Sequence, residues 1–189
     1  MELIQQVDFN ILNWIQMNLK CGFLDIIMPA FSALSDNGEI WLACGLGLLI
    51  LRRYRKQGAL MVLSVMVCVV IGNLILKPVI ARPRPCWINE NIPLLIESPT
   101  DYSFPSGHTL ISAVGAVSVF MANRKFGWIA FPLAAVIAFS RLYLYVHFPS
   151  DVLVGAAIGT AVTLVIFKFG GKLYDHILNE FNKLRKELQ

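Results

Sequence analysis

The sequence predicts an all-α fold: a polytopic membrane bundle of about six transmembrane helices, with an amphipathic helix at each end. Three observations predict it. The 189-residue chain is 57% hydrophobic and 15% charged, against roughly 45–50% and about 25% in soluble domains, so it cannot cover itself with polar surface. Charge-free windows recur along it, and basic residues cluster between those windows. The length suits one domain, 1–189, with 1–19 and 171–189 lying on the bilayer as interfacial helices. No basic leader precedes an apolar core near the start, so a secretory signal peptide is not expected.

Taken in order, Ile4, Val7, Ile11, Trp14 and Ile15 recur at helical spacing with polar residues between them, an interfacial pattern. Cys21 to Ser35 is apolar but holds Asp25 and Pro29. Clearer spans follow at Ile40–Leu51, Gln57–Leu76, Thr109–Asn123, Phe126–Ser140 and Val152–Phe167. A bilayer core needs about 20 helical residues, so most of these windows must borrow flanking residues. Gly155 and Gly159 have the G-x-x-x-G spacing that lets helices approach closely, within the chain or between two copies in a homodimer. Leu173, Ile177, Phe181, Leu184 and Leu188 then form a second amphipathic stripe.

Six alternating spans put Arg52–Lys56, Arg124–Lys125 and the C-terminal lysines on one side, which the positive-inside rule makes cytoplasmic. Both termini are then expected there, and the chemistry described next on the outer face of a plasma membrane. Lys77, Arg82 and Arg84 are basic yet lie outside, which fits an anionic ligand. The net charge of +4 sits at span ends, and no nucleic-acid partner is expected. The four cysteines, at 21, 44, 68 and 86, include no C-x-x-C pair.

Three strings carry chemistry. In Lys77-Pro-Val-Ile-Ala-Arg-Pro-Arg84-Pro85, prolines stiffen a run whose arginine forks fit phosphate oxygens. Phe104-Pro-Ser-Gly-His108 sets Ser106 as an N-cap and Gly107 as a close backbone approach, where helix amides attract anions. His108 then has a proton-transfer role beside the anion. In Ser140-Arg-Leu-Tyr-Leu-Tyr-Val-His147-Phe-Pro-Ser-Asp151, Arg141 lies in an apolar run, where an arginine is a functional candidate by default. Pro149 keeps His147 and Asp151 off one regular helix face, but a turn with Ser150 as cap can bring them together. A carboxylate on one ring nitrogen then fixes the tautomer and frees the other for attack. No metal or other cofactor is expected, since the cations can carry the charge.

Lys-(six residues)-Arg-Pro, Pro-Ser-Gly-His and Ser-Arg-(five residues)-His-(three residues)-Asp resemble the signature of the type-2 phosphatidic acid phosphatase superfamily, over residues 77–151. The resemblance implies a metal-independent phosphomonoesterase or pyrophosphatase working through a phosphohistidine. It implies catalytic roles for His147 as nucleophile, Asp151 as its orienter and His108 as acid and base. Lys77, Arg84, Arg141, Ser106 and Gly107 would bind the phosphoryl group, while Arg82 falls outside the fixed positions. The partners implied are the bilayer and a phosphorylated lipid. Undecaprenyl pyrophosphate leads by analogy, with phosphatidylglycerol phosphate or phosphatidate as alternatives. A lipid-phosphate carrier or flippase is the non-enzymatic alternative. The apolar segment Trp87–Ile96 is either a lip over the lipid tail or a cover packed on the motif loops.

Overall fold

In the computed structural model, residues 2–187 are described, and no strand occurs among them. The helices are α1 (Glu2–Asn18), α2 (Gly22–Ala33), α3 (Glu39–Ile50) and α4 (Arg55–Val69). A π-helical stretch, Val70–Leu76, leads into α5 (Lys77–Ile80), followed by α6 (Pro85–Ile88), α7 (Gly107–Ala122), α8 (Arg124–Tyr143) and α9 (Pro149–Val165). A second π-helical stretch, Ile166–Gly170, joins α9 to α10 (Gly171–Glu187). The stretches that begin at Arg55, Arg124 and Pro149 are long and apolar enough to cross a membrane, while α2, α3 and α7 are shorter. Leu188 and the side chain of Phe181, expected on the last amphipathic stripe, lie outside the described residues.

The core forms where α3, α4, α7 and α8 meet, around Trp41, Met61, Val65, Leu110, Val114 and Ile137. Trp41 donates its indole N–H to Ser112 Oγ at 3.0 Å, so a polar tip is satisfied inside an apolar layer. Small residues set the spacing. A Cβ on Gly115 would fall 2.0 Å from the Trp41 ring. On Gly155 and Gly159 it would meet the Ser106 and Leu110 carbonyl oxygens at 2.8 and 2.3 Å. The G-x-x-x-G pair therefore seats α9 on α7 within one chain.

Contacts define two ends of the bundle. At one, Lys56 pairs with Asp175 at 2.6 Å and Asn123 donates to the Tyr54 hydroxyl at 3.2 Å, so the basic clusters lie together as expected. At the other, the three motif strings meet. The terminal helices flank opposite ends, which corrects the expectation that both lie away from the motifs. Helix α1 is held at the motif end, with Gln16 donating to the Tyr143 carbonyl and Asp8 tied to Ser150 and Arg82. The reason lies in α2. Its 12 residues reach only about 18 Å, and it bonds the motif end of α8 along its length. Tyr143 donates to Asp25 at 2.7 Å, and Arg141 donates to Ser32. Met28 packs with Ile15 and Tyr143. The Cys21–Ser35 segment, counted as a span, thus stays in the motif half of the bundle.

The face of α1 is also revised. Ile4, Val7, Ile11 and Trp14 are exposed as the stripe requires, but Ile15 is buried and so is Asp8, one of the residues placed on the polar side. In α10, Leu173, Ile177 and Leu184 are exposed. Trp87, Ile92, Leu94 and Ile96 pack against a cluster of Leu12, Cys86, Tyr145, Val146 and Phe148. These four apolar residues of the 87–96 segment therefore cover the motif loops, with Ile88 and Leu95 left exposed.

Candidate active site

Each motif residue is placed by a local backbone feature. The α4 helix does not stop at Pro78, as its sequence suggests, but passes through the π-helical turns and ends at Ala81, whose φ of 48° is left-handed. Wider turns accommodate a proline and often mark functional positions. Lys77 is thereby turned inward and buried. The run after it is extended as expected, with Arg84 at φ −78°, ψ 152° and Pro85 opening α6.

Ser106 caps α7, its hydroxyl accepting from the Thr109 N–H, and it is fully buried. Its own N–H donates to the Asp151 carbonyl at 3.2 Å, so this amide is committed to the protein. Gly107 and His108 follow in the first turn, where N–H groups have no intrahelical acceptor.

Helix α8 closes with paired reverse bonds: Tyr145 N–H to the Leu142 carbonyl and Val146 N–H to the Arg141 carbonyl. This is a Schellman ending with tyrosine, at φ 60°, where glycine is usual. The left-handed turn costs about 1 kcal/mol and is held by burial of the Tyr145 ring and its bond to Asn13. It reverses the chain, so that His147 N–H also bonds the Arg141 carbonyl, at 3.3 Å. Pro149 opens α9, and Asp151 reaches back to accept from the Phe148 N–H at 2.9 Å. The cap is thus Asp151, not Ser150; the Ser150 hydroxyl donates to Asp8 instead, at 2.5 Å.

These turns bring Lys77, Arg84, Gly107, His108, Arg141 and His147 onto one cavity of about 630 Å³, flanked on its apolar side by Pro29, Val69 and Gly72. Ser106 and Asp151 stand behind that wall. An Arg84 N–H donates to His147 Nε2 at 3.1 Å, so Nε2 carries the lone pair and the ring proton sits on Nδ1. Nδ1 lies 3.7 Å from Asp151 Oδ2 and 3.5 Å from Ser103 Oγ, and Ser103 donates to the same carboxylate oxygen at 2.5 Å. Burial, reinforced by the charges of Arg84 and Arg141, holds the His147 imidazolium well below the usual histidine range, so the ring is neutral. His108 Nε2 meets Asp36 at 3.0 Å, at a more exposed position. Arg141 is buried, and its Nε N–H has no partner among the described residues.

Sequence reasoning missed four acidic or hydroxyl partners. Asp101 bridges Lys77 and Arg84, at 2.6 Å from the latter. Burial raises its carboxyl, but the Lys77 and Arg84 charges outweigh that and pull it down to about 2. Asp36 and Ser103 lie in loops, and Asp8 lies on a helix read as interfacial, where an aspartate on the polar side is ordinary. Arg82, whose role was open, is neither solvated nor in the cavity. It joins Asp8 to Asp151 at 2.7 and 2.5 Å and stacks on Phe148, its guanidinium carbon 4.0 Å from the ring centre. Among the described residues no group of three or more His, Cys, Asp or Glu side chains is placed to share a metal ion.

The profile of the PAP2 superfamily matches residues 57–175. An undecaprenyl-diphosphatase of Sulfolobus acidocaldarius is 34% identical over 158 residues, covering 83% of this chain and 74% of its own. The crystal structure of LpxE from Aquifex aeolicus superimposes with a TM-score of 0.76 at 28% identity, over 86% of this chain and 96% of that one. A transmembrane PAP2-type phosphatidylglycerolphosphate phosphatase from Bacillus subtilis gives 0.74 at 26% identity, over 91% and 88%.

Proposed function

The chain belongs to the PAP2 superfamily, and from that premise we propose that it is an integral-membrane lipid phosphatase that works through a phosphohistidine on His147. The observation that carries this reading is the orientation of one ring. Nε2 of His147 faces a cavity ringed by Lys77, Arg84 and Arg141, while Nδ1 is backed by Asp151 and Ser103. A neutral imidazole is a ready nucleophile once Arg84, which donates to that lone pair, shifts its N–H to a phosphoryl oxygen.

In the first step Nε2 bonds to phosphorus as the phosphorus–oxygen bond to the lipid breaks. His108, which takes up a proton as the anionic substrate enters beside Asp36, gives it to the departing oxygen. In the second, His108 takes a proton from water, the water oxygen bonds to phosphorus and the nitrogen–phosphorus bond breaks, releasing inorganic phosphate. With Nε2 of His108 on Asp36, Nδ1 is the atom left to exchange that proton. The cations hold the phosphoryl oxygens, and the unpartnered Arg141 Nε N–H supplies a donor already desolvated. Gly107 brings backbone close to the same oxygens, since a Cβ there would lie 4.0 Å from Lys77 Nζ. Ser106 acts by capping and by holding Asp151.

We favour undecaprenyl pyrophosphate as substrate, because the relative quoted above with the highest identity, 34%, is named for it. The basic clusters at the far end support an extracytoplasmic site by the positive-inside rule. Phosphate release by the purified protein in excess chelator, compared on undecaprenyl pyrophosphate, phosphatidylglycerol phosphate and phosphatidate, tests the proposal. Turnover of the first in chelator, with an acid-labile phosphoenzyme, is expected. A strict metal requirement, or label trapped only on a carboxylate, refutes the mechanism; preference for another lipid replaces the substrate alone.

A further inference from the structure

We propose that Asp8, on the N-terminal helix, is a positioning residue for catalysis, acting through Arg82 on Asp151; the inference rests on His147 being the nucleophile. Helix α1 carries the composition of a membrane-surface anchor, yet it delivers one carboxylate into the protein. Asp8 is 3% exposed. It accepts from Arg82 Nη2 at 2.7 Å, from the Ser150 N–H at 3.0 Å and from the Ser150 hydroxyl at 2.5 Å. Arg82 turns its other terminal nitrogen to Asp151 Oδ1 at 2.5 Å. The Phe148 ring lies between Arg82 and Phe9, at 4.0 Å from the guanidinium and 5.1 Å from the Phe9 ring centre.

Two consequences follow. The first is geometric. Asp8 satisfies the backbone of the first turn of α9 from outside, and that turn carries Asp151. The second is electrostatic. Asp151 alone beside Arg82 would be a neutral pair. With Asp8 added, two carboxylates share one guanidinium, and the group behind His147 keeps a net negative charge. The other groups on the His147 cavity are Arg84, Arg141, Lys77 and His108, with Asp36, Glu97 and Asp101 as the carboxylates. Against so many cations, a retained negative charge raises the basicity of the imidazole and stabilises the positive ring formed on phosphorylation.

The test uses the full-length protein in detergent, with undecaprenyl pyrophosphate as probe and His147→Gln run in parallel. Asp8→Asn keeps the side chain's shape and an acceptor for Ser150 but removes the charge. It is expected to lower kcat by about 10–100-fold, the range for a partner one shell out, with KM within threefold. The acid limb of kcat/KM is expected to move to lower pH, because Arg82 is then less compensated. A structural role alone would not move that limb. Arg82→Lys is a second variant that keeps the charge while losing the fork, and it is expected to lose kcat without the pH shift. If Asp8→Asn leaves kcat within threefold, or if kcat falls in step with the melting temperature while the limb stays put, the proposal is overturned. If His147→Gln retains turnover, the nucleophile reading falls instead, whatever Asp8 does.

Discussion

Each of the two site histidines has an aspartate, and the pairs differ in almost every other respect. His147 and Asp151 are both buried, belong to one sequence motif, and are braced by Ser103, Arg82 and Arg84. His108 meets Asp36 across the mouth of the cavity, and Asp36 comes from the α2–α3 loop with more than half of its side chain exposed. A group that forms a covalent bond gains from a fixed ring and a fixed tautomer. One that passes protons to a departing lipid and then from water must stay near solvent. The contrast teaches that the close bracing is given to the imidazole proposed as nucleophile, and the solvent-facing carboxylate to the one proposed as proton carrier.

Replacing His147 sharpens the contrast most. His147→Ala is expected to lower kcat by at least about 10⁴-fold, as loss of a nucleophile does elsewhere. The variant should stay folded, because the lost ring borders a cavity and Ser103 and Asp151 remain bonded to each other. On the proposed mechanism, the same ring sets the acid limit of the enzyme. Burial and the flanking arginines depress its proton affinity, so the neutral form persists below the ordinary histidine value of about 6.5. The acid limb of kcat/KM should therefore lie below that of an unperturbed histidine. The stability linked to this ring is complete above about 6.5 and is lost as pH falls toward the depressed value. A limb at or above 6.5 would show that another group controls it.

His108→Ala should cost less, about 10²–10⁴-fold on a lipid substrate, the usual range for general acid–base catalysis. The comparison breaks if this variant loses the pre-steady-state burst of p-nitrophenolate from p-nitrophenyl phosphate, whose leaving group needs no proton. Phosphoenzyme should then form at near-normal rate and accumulate, because only water activation is impaired. Asp36→Asn comes next. It keeps a hydrogen bond to the ring and removes the charge, so a loss of about tenfold in kcat with unchanged KM is expected. No change in kcat would make Asp36 a bystander at the rim.

Residues 77–151 made the cavity wall legible because motif spacing survives in the sequence even where the fold is irregular. Lys77, Arg84, His108, Arg141 and His147 were all placed from it, and all line the cavity. The supporting shell was not legible. Tyr145 gave no turn signal, since a left-handed residue there is paid for by tertiary packing and not by side-chain type. Asp36, Asp101 and Ser103 sit in loops where acidic and hydroxyl residues are ordinary. At α2, hydropathy alone does not tell a helix that crosses from one that packs along half of a neighbour. Its Asp25 and Ser32 were the polar anchors that decide this, and their partners Tyr143 and Arg141 lie more than a hundred residues away in sequence.

The smallest expected effect concerns Asp101, and it separates attraction from competition in the same cavity. Its carboxylate bridges Lys77 and Arg84, the positions a phosphate would need. Held down to about 2 by those cations, it stays charged at any working pH and must give way when substrate arrives. Asp101→Asn removes the competing charge but keeps the shape, so KM should fall and inhibition by inorganic phosphate should tighten, each by about threefold to tenfold, or roughly a kcal/mol of relieved competition. A weaker product block in the native protein would favour turnover of a lipid whose phosphate must leave quickly. If Asp101→Asn instead raises KM, the carboxylate is holding Lys77 and Arg84 in register for the substrate, and its place in the cavity is scaffolding.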